Sequence, residues 1–476
     1  MKFRRSNIEM IEKAGALTVH RRLHACGVSD IVSACVGVRP RQAKYGFHDV
    51  LFSWIVGMHT GIKRLEGIEK LRYAWSPVEN LLMPSHDTIN RTMKDLATPV
   101  EKTVRTYHDR TKTVETYYND NLPLNDLLIQ SSLAVGALNQ REIYTLDIDA
   151  TFITNHCRAA VRKPNYVGKG KHSAIGFYPM VCLIGDKPVF ISMRDGYAGP
   201  KFMFKECLDN ALSLLDKSNI KVGRVVSDAA GYNKEALKSL DARGIKFNLR
   251  FPEREGFREF RSKLQRHRHW AKTEIRTANL IWDCEIGCIE YNTSNNKRAE
   301  KNPTWRVVTV RVPAQREIAD VHREQLVNEK LNVAKQRGKL KAEAKTYEDN
   351  GWKIIGEYKY KFYITNDFEI SPEEIVTEYN QRGTSEQKFS FMKNDFSWKR
   401  MPFYNCMSHN TVFMIVSALA NNIFKGVIAT LQGEIPGLRD NMRLDLYIQV
   451  ITHHSAFYIN GVLHFGKRCF DIEKIA

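Results

Sequence analysis

Carboxylates at three places in the chain, the first with two candidates, fall where they can do chemistry together. Asp147 and Asp149 close a short strand-like run at residues 144–148. The two-residue period of a strand sets both on one face. Asp228 ends another such run, residues 222–227, and is followed by Ala-Ala-Gly231-Tyr232. Glu386 comes much later, in a helical stretch. In open sheets the ligand-handling groups gather at strand ends. Two strand-borne aspartates and a helix-borne glutamate make a hard-oxygen set suited to Mg2+ or Mn2+. A pair of such ions about 3.5–4 Å apart stabilises both the attacking and the leaving oxygen of a displacement at phosphorus. Strand geometry alone does not separate Asp147 from Asp149 as the first ligand.

The stretch holding Glu386 opens with Ser371-Pro372-Glu373-Glu374. That is an N-cap, a proline at the first helical position and acids in the first turn. The helical pattern is expected to run to about residue 392. Within it Tyr379, Arg382, Glu386 and Lys393 stand at offsets 0, 3, 7 and 14. At about 100° per residue these share one narrow stripe. Arg382 can grip a phosphate through two N–H groups, with Lys393 as a point charge. The plainer alternative is a surface helix with an incidental Arg382–Glu386 pair.

The elements that must position these residues are read from changes of pattern. Residues 1–135 read as helical, with a capped helix after Ser85 bearing Asn90, Arg91 and Lys94. That helix fits either the reading helix of a helix-turn-helix or an ordinary surface helix. From residue 144 the text turns to strands at 144–148, 180–184 and 189–193, the last two flanking the tight-turn signal Gly185-Asp186-Lys187-Pro188. A helix at 202–215, the strand at 222–227, a helix at 233–242 and a strand at 245–251 complete a mixed sheet. Residues 252–362 interrupt it with strand-like runs at 280–289, 306–312 and 354–364, and a charged helical excursion at 314–347. The sheet resumes at 363–400 with the Glu386 helix, and 401–476 reads as a helical tail.

Composition narrows the partners. The 476 residues carry 72 Lys+Arg against 53 Asp+Glu, a net charge of +19. Such a surplus favours a polyanion, nucleic acid before membrane. The 43% hydrophobic content excludes a disordered chain. Nine scattered cysteines argue for a reducing cytosol over a disulfide scaffold. No secretory leader is read at the N-terminus, and the apolar run 412–420, cut by Asn421 and Asn422, reads as a buried core helix. A phosphate-cradling G-x-x-x-x-G-K-[ST] loop is missing, so no nucleotide cofactor is expected.

The spacing Tyr379-x2-Arg382-x3-Glu386-x6-Lys393 resembles the Y-R-E-K signature of bacterial insertion-sequence transposases with a DDE, ribonuclease-H-like catalytic domain. Asp149-Ala150-Thr151 is similar to the family's first Asp-(Gly/Ala/Thr)-Thr motif, and Asp228-x2-Gly231-Tyr232 to its second. The motifs span about half the chain. The resemblance implies an α/β fold: a ribonuclease-H-like mixed sheet (136–251 and 363–400) broken by a β-rich insertion (252–362), with N-terminal (1–135) and C-terminal (401–476) helical regions. It implies Asp149, Asp228 and Glu386 as ligands of two Mg2+ or Mn2+ ions per active site, favouring Asp149 over Asp147, which would then stand behind the ligands or be a strand-end charge. Tyr379, Arg382 and Lys393 would contact DNA, beside the candidate reading residues Asn90, Arg91 and Lys94. The implied activity is cut-and-paste transposition by a homodimer on double-stranded DNA. The protein would bind terminal inverted repeats, nick the ends and join the 3′-hydroxyls to target DNA. Relatives that pass through a DNA hairpin use an insertion-domain tryptophan to stack a flipped base, and Trp270, Trp282, Trp305 and Trp352 lie in the interruption. A cytoplasmic bacterial protein, on the nucleoid when bound, follows. Two rivals remain: a silent end-binding protein, and a ribonuclease-H-like nuclease that cannot join.

Weaker signals complete the inventory. His267, His269, Cys284 and Cys288 could suggest zinc, although basic text of that kind suits phosphates better. Lys169-Gly170-Lys171-His172, Arg194 and the arginines Arg4, Arg5, Arg21 and Arg22 are further candidates for backbone contact.

Overall fold

The computed structural model describes residues 9–106, 113–154, 176–196, 198–252, 258–276, 281–292, 304–314, 352–382, 385–399, 401–403, 406–432 and 442–466. It is a mixed α/β architecture with a large central sheet and helical regions. The chain divides into two compact units. The first comprises Met1–Tyr144, Asp149–Lys221 and Glu386–Ala476; the second comprises Thr145–Ile148 and Val222–Ser385. The strand Ile143–Ala150 therefore gives its middle to one unit and its ends to the other.

In the first unit the helices Gly15–Ala25, Val28–Val36, Phe47–His59 and Leu122–Ala134 pack with the 25-residue helix Met407–Leu431. That last helix is the expected core helix. It is long and apolar enough to cross a membrane, yet Asn410–Phe424 is buried inside the protein. The amide nitrogens of Asn421 and Asn422 are paired internally. Asn422 donates to Pro188 O (2.7 Å) and Ser132 Oγ (2.9 Å), and Asn421 to Asp186 O (3.3 Å). Buried amides stay in a core only when paired in this way.

The strands of this unit follow the order Met180–Ile184, Lys187–Arg194, Thr113–Asn119, Glu101–Thr106. The first pair is the hairpin announced by Gly185, which sits at φ 63°, a value glycine adopts without strain. The second pair corrects the helical reading of residues 1–135. Its threonines and valines favour strand, and cross-strand pairing supplies what alternation does not show. The C-terminal stretch is likewise not all helix. Ala456–Ile459 and Val462–Phe465 form a small sheet with Glu9–Ile11, a pairing between distant segments with no local signature.

In the second unit Lys221–Ser227, the helix Lys234–Ala242 and Lys246–Arg250 make a parallel strand–helix–strand crossover. Asn233 caps that helix by accepting from Glu235 N and Ala236 N. The sheet continues antiparallel through Tyr358–Thr365, Thr304–Pro313, Ile281–Asn292 and Ala271–Arg276. Among the described residues of 252–362, strands predominate. The run 354–364 is split by a turn at Gly356 (φ 60°) into Lys353–Ile355 and Tyr358–Thr365. The helix Arg258–Arg266 and the strand Ala271–Arg276 have no counterpart in the sequence reading. The charged excursion at 314–347 lies, apart from Ala314, outside the described residues.

Candidate active site

Asp228 sits immediately past the C-terminal end of Lys221–Ser227, in extended backbone (φ −71°, ψ −175°). Its Oδ1 accepts Ala230 N–H at 2.8 Å and so caps the single turn Ala229–Gly231. The carboxylate is half-buried. Asp149 is also half-buried, with Oδ1 accepting Ala150 N–H at 2.8 Å. Each acid therefore has one oxygen oriented by a backbone amide.

Asp147 differs from both. It is 4% exposed, and its Oδ1 accepts the Nε–H of Arg382 at 2.9 Å. Strand alternation places Asp147 and Asp149 on one face, as expected, but Leu146 and Ile148 bury the middle of the strand while Asp149 lies near its end. The same residue type two positions apart thus meets two environments.

Arg382 is delivered by the helix Pro372–Gln381. Its start is as the sequence specifies. Ser371 Oγ accepts Glu374 N–H (3.1 Å), and Glu374 returns the bond to Ser371 N (2.7 Å). Ile375 and Val376 bury one face against Val308, Val310 and Tyr363. Asn248 Nδ2 donates to Ile375 O at 2.7 Å. Arg224, on the strand that leads to Asp228, bridges Asp367 (2.6 Å) and Glu378 (2.7 Å). Arg382 is the C-cap, where a cation also suits the negative end of the helix dipole.

Tyr379, on the last turn, meets the Tyr363 ring edge-on at 5.0 Å. Burial pushes its phenol above the ordinary value; the guanidiniums of Arg382 and Arg250 oppose this and the Asp228 carboxylate adds to it. Asp228, Tyr379 and Arg382 accordingly sense one another within the second unit, with Asp147 fixed on Arg382.

The single stripe does not hold. The helix stops at Gln381, and a second helix, Ser385–Asp395, carries Glu386 and Lys393. Four residues spread over two helices cannot share a face by a uniform rotation per residue. Arg382–Gly383–Thr384–Ser385 carries the signals for this: a glycine just past a helix end and a threonine ahead of the next. The Glu386 side chain lies outside the described residues. Lys393 is half-buried, on a helix whose Phe389 and Met392 enter the core of the first unit. Among the described residues no three His, Cys, Asp or Glu side chains gather as a metal site.

The remaining candidates separate cleanly. The helix His86–Asp95 is N-capped by Ser85 and exposes Arg91 and Lys94, while Asn90 is half-buried. Residues 75–85 separate it from the helix Ile68–Ala74, a longer link than the three or four residues of a helix-turn-helix. Arg194 is fully buried and donates to Tyr178 O (3.1 Å) and Phe202 O, and Arg22 donates to Val135 O (3.2 Å) and Thr430 Oγ1 (2.7 Å). Both hold the fold rather than a ligand. Arg4, Arg5 and residues 169–172 lie outside the described residues.

Cys284 and Cys288 share one strand face, whereas His267 packs over Gly287 on the other and bonds His269 O (2.8 Å). They do not form a zinc set. Trp305 is fully buried, and Arg311 stacks 3.9 Å from the centre of Trp270. Lys361 stands 4.7 Å from the centre of Trp352. The Trp282 side chain is outside the described residues.

Comparison with known proteins adds three findings. A family profile described as a transposase DDE domain matches residues 140–423, a span that holds Asp149, Asp228 and Glu386. No curated protein matches. A solved structure titled as a cryo-EM structure of the piggyBac transposase synaptic complex with hairpin DNA is similar at 10% identity, covering 94% of this chain and 82% of that chain, with a TM-score of 0.40.

Proposed function

This chain belongs to the family of transposase DDE domain proteins, and from that premise we propose that it cuts DNA at the ends of a mobile element and joins those ends to a target. The observation that carries the reading is that the matched span contains Asp149 and Asp228 as half-exposed carboxylates at a strand end, each with one oxygen already oriented by a backbone N–H. Hard oxygen donors in that state fit Mg2+ or Mn2+. Asp149, Asp228 and Glu386 would hold the ions. When bound, these supply an activated oxygen nucleophile and neutralise charge at phosphorus.

The chain's own residues then bind and orient. Tyr379 and Arg382, on the last turn and C-cap of one helix beside Asp228, hold the scissile phosphate region, and Lys393 adds a point charge. Hydrolysis breaks the phosphodiester at the element end and frees a 3′-hydroxyl. That hydroxyl forms a new bond to a target phosphorus as the target's own 3′-oxygen leaves, so no energy-carrying nucleotide is consumed. A ribonuclease-H-like core is supported by the hairpin at Met180–Ile184 and Lys187–Arg194 and by the parallel crossover that ends at Arg250. The Y-R-E-K subtype, an end-binding region at 1–135 with Asn90, Arg91 and Lys94, a C-terminal region at 401–476 and a homodimer on paired ends belong to the same proposal.

The test uses purified protein with DNA from the flanks of its gene. With Mn2+ or Mg2+ it should nick those ends and transfer pre-cleaved ends. Asp228→Ala should abolish both and leave end binding intact. Full cutting by Asp228→Ala overturns the assignment. Nicking without joining selects the nuclease alternative, and binding without nicking the silent one.

A further inference from the structure

Of the two aspartates at the end of Ile143–Ala150, Asp147 is buried and holds an arginine. Its side chain is 6% exposed and that of Arg382 10%, with 2.9 Å between Oδ1 and Nε. A metal ligand must offer its oxygens to a space that a hydrated ion and DNA can enter. Asp147 instead spends an oxygen on a guanidinium in the interior, flanked by Leu146 and Ile148. Arg382 is also a special position, the cap residue at which one helix stops, four residues ahead of Glu386 in the chain. The beginning of that helix is tied down by the Ser371–Glu374 box, and its body by Asn248 and Arg224. Asp147 ties down its end.

We propose that Asp147 is a positioning residue and not a metal ligand: it is the counter-ion that fixes Arg382, and with it the C-terminal end of the helix Pro372–Gln381. The inference rests on the function proposed above, because it assigns the pair a part in that reaction. Asp147 touches neither DNA nor metal in this account and acts only through Arg382. Breaking a buried ion pair on one side leaves an uncompensated charge, whereas removing both charges does not. Loss of position at a reacting centre costs on the order of 100-fold in turnover for about 1 Å.

The experiment compares wild type, Asp147→Asn, Asp149→Asn, Arg382→Gln and the double variant Asp147→Asn/Arg382→Gln. Calorimetric titration of the DNA-free protein with Mn2+ reads ligation, thermal unfolding reads the pair, and steady-state cleavage of end DNA reads catalysis. Asp147→Asn should bind Mn2+ as wild type does, while Asp149→Asn should not. Its kcat should fall on the order of 100-fold with little change in KM. The double variant should melt above Asp147→Asn, giving a strongly non-additive cycle. Loss of Mn2+ binding in Asp147→Asn to the extent seen in Asp149→Asn overturns the inference, as does an additive melting cycle. A wild type that neither binds Mn2+ nor cuts overturns the functional reading instead, and the melting cycle then decides the pair by itself.

Discussion

Acidification from about pH 7 to about pH 4 is expected to remove on the order of 3 kcal/mol of stability from the first unit through His59 alone. This histidine is fully buried. Its Nε2–H donates to Ala420 O at 2.8 Å, and Tyr447 O–H donates to Nδ1 at 3.2 Å, so the neutral ring joins Phe47–His59 to Met407–Leu431. Burial lowers its pKa from 6.5 to about 4, with the Ala420 carbonyl opposing the shift. Above about pH 6.5 neither folded nor unfolded chain is protonated there, and stability is full. Between 6.5 and about 4 the unfolded chain binds a proton that the folded chain refuses, so stability falls as pH falls. At ~1.4 kcal/mol per tenfold the window amounts to about 3 kcal/mol. His59→Gln keeps a donor toward Ala420 O and has nothing to titrate. Urea unfolding can be followed through the buried Trp54, Trp75 and Trp398 at several pH values. The variant should be weaker than wild type at neutral pH, and the gap should shrink by about 3 kcal/mol on acidification. His20, lowered to about 4 by burial and by His24 and His48, titrates in the same window and leaves a common loss in both proteins. Parallel profiles of wild type and variant would refute the reasoning.

Two further outcomes follow from packing and charge. Burial, with Arg250 adding to it, lowers Lys361 from 10.5 to about 7, so stability of the second unit should rise as pH goes from about 7 to 10.5. Lys361→Met should raise the melting point at pH 7 and flatten that rise; a lower melting point with the slope retained would contradict the placement. A methyl group at Gly426 would stand 2.6 Å from Val135 O, so Gly426→Ala should cost about 1–3 kcal/mol, read as a lower urea midpoint. An unchanged midpoint would mean that the two helices do not approach so closely.

What the sequence discloses tracks how local the determining interaction is. The Met180–Ile184 hairpin is written in its turn residues Gly185-Asp186-Lys187-Pro188, and the Ser371 N-cap in Ser371-Pro372-Glu373-Glu374; both form as read. The pairing of Glu9–Ile11 with Ala456–Ile459 depends on chain segments more than 400 residues apart, and nothing in either segment names the other. At the site, Asp228 at a strand end and Tyr379 and Arg382 on a helix begun by Ser371 are legible. The break after Gln381 is legible too, from Gly383 and Thr384, but only if stop signals are weighed above the spacing of four side chains. The pairing of Arg382 with Asp147 is not legible: they stand 235 positions apart, and each could have been given to phosphate or metal on type alone.

Two largely desolvated cations of the second unit show why that pairing matters. Lys361 leaves water near Arg250, and Arg382 does so near Tyr379 on its own helix. Lys361 meets this by a lowered pKa, since an ammonium can release its proton when its surroundings disfavour charge. A guanidinium cannot take that route, because it remains charged at any pH the protein meets. A buried arginine therefore needs fixed acceptors, carbonyls as at Arg194 or a carboxylate as at Arg382, and the acceptor fixes the arginine in return. Replacing such a pair by apolar groups is often neutral or stabilising, so Asp147–Arg382 is poorly explained as a source of stability. It is better explained as a geometric constraint: a directional N–H···O contact at the single point where a helix beside Asp228 must end. On that argument the acid two residues before Asp149 is necessary because it is not a second ligand.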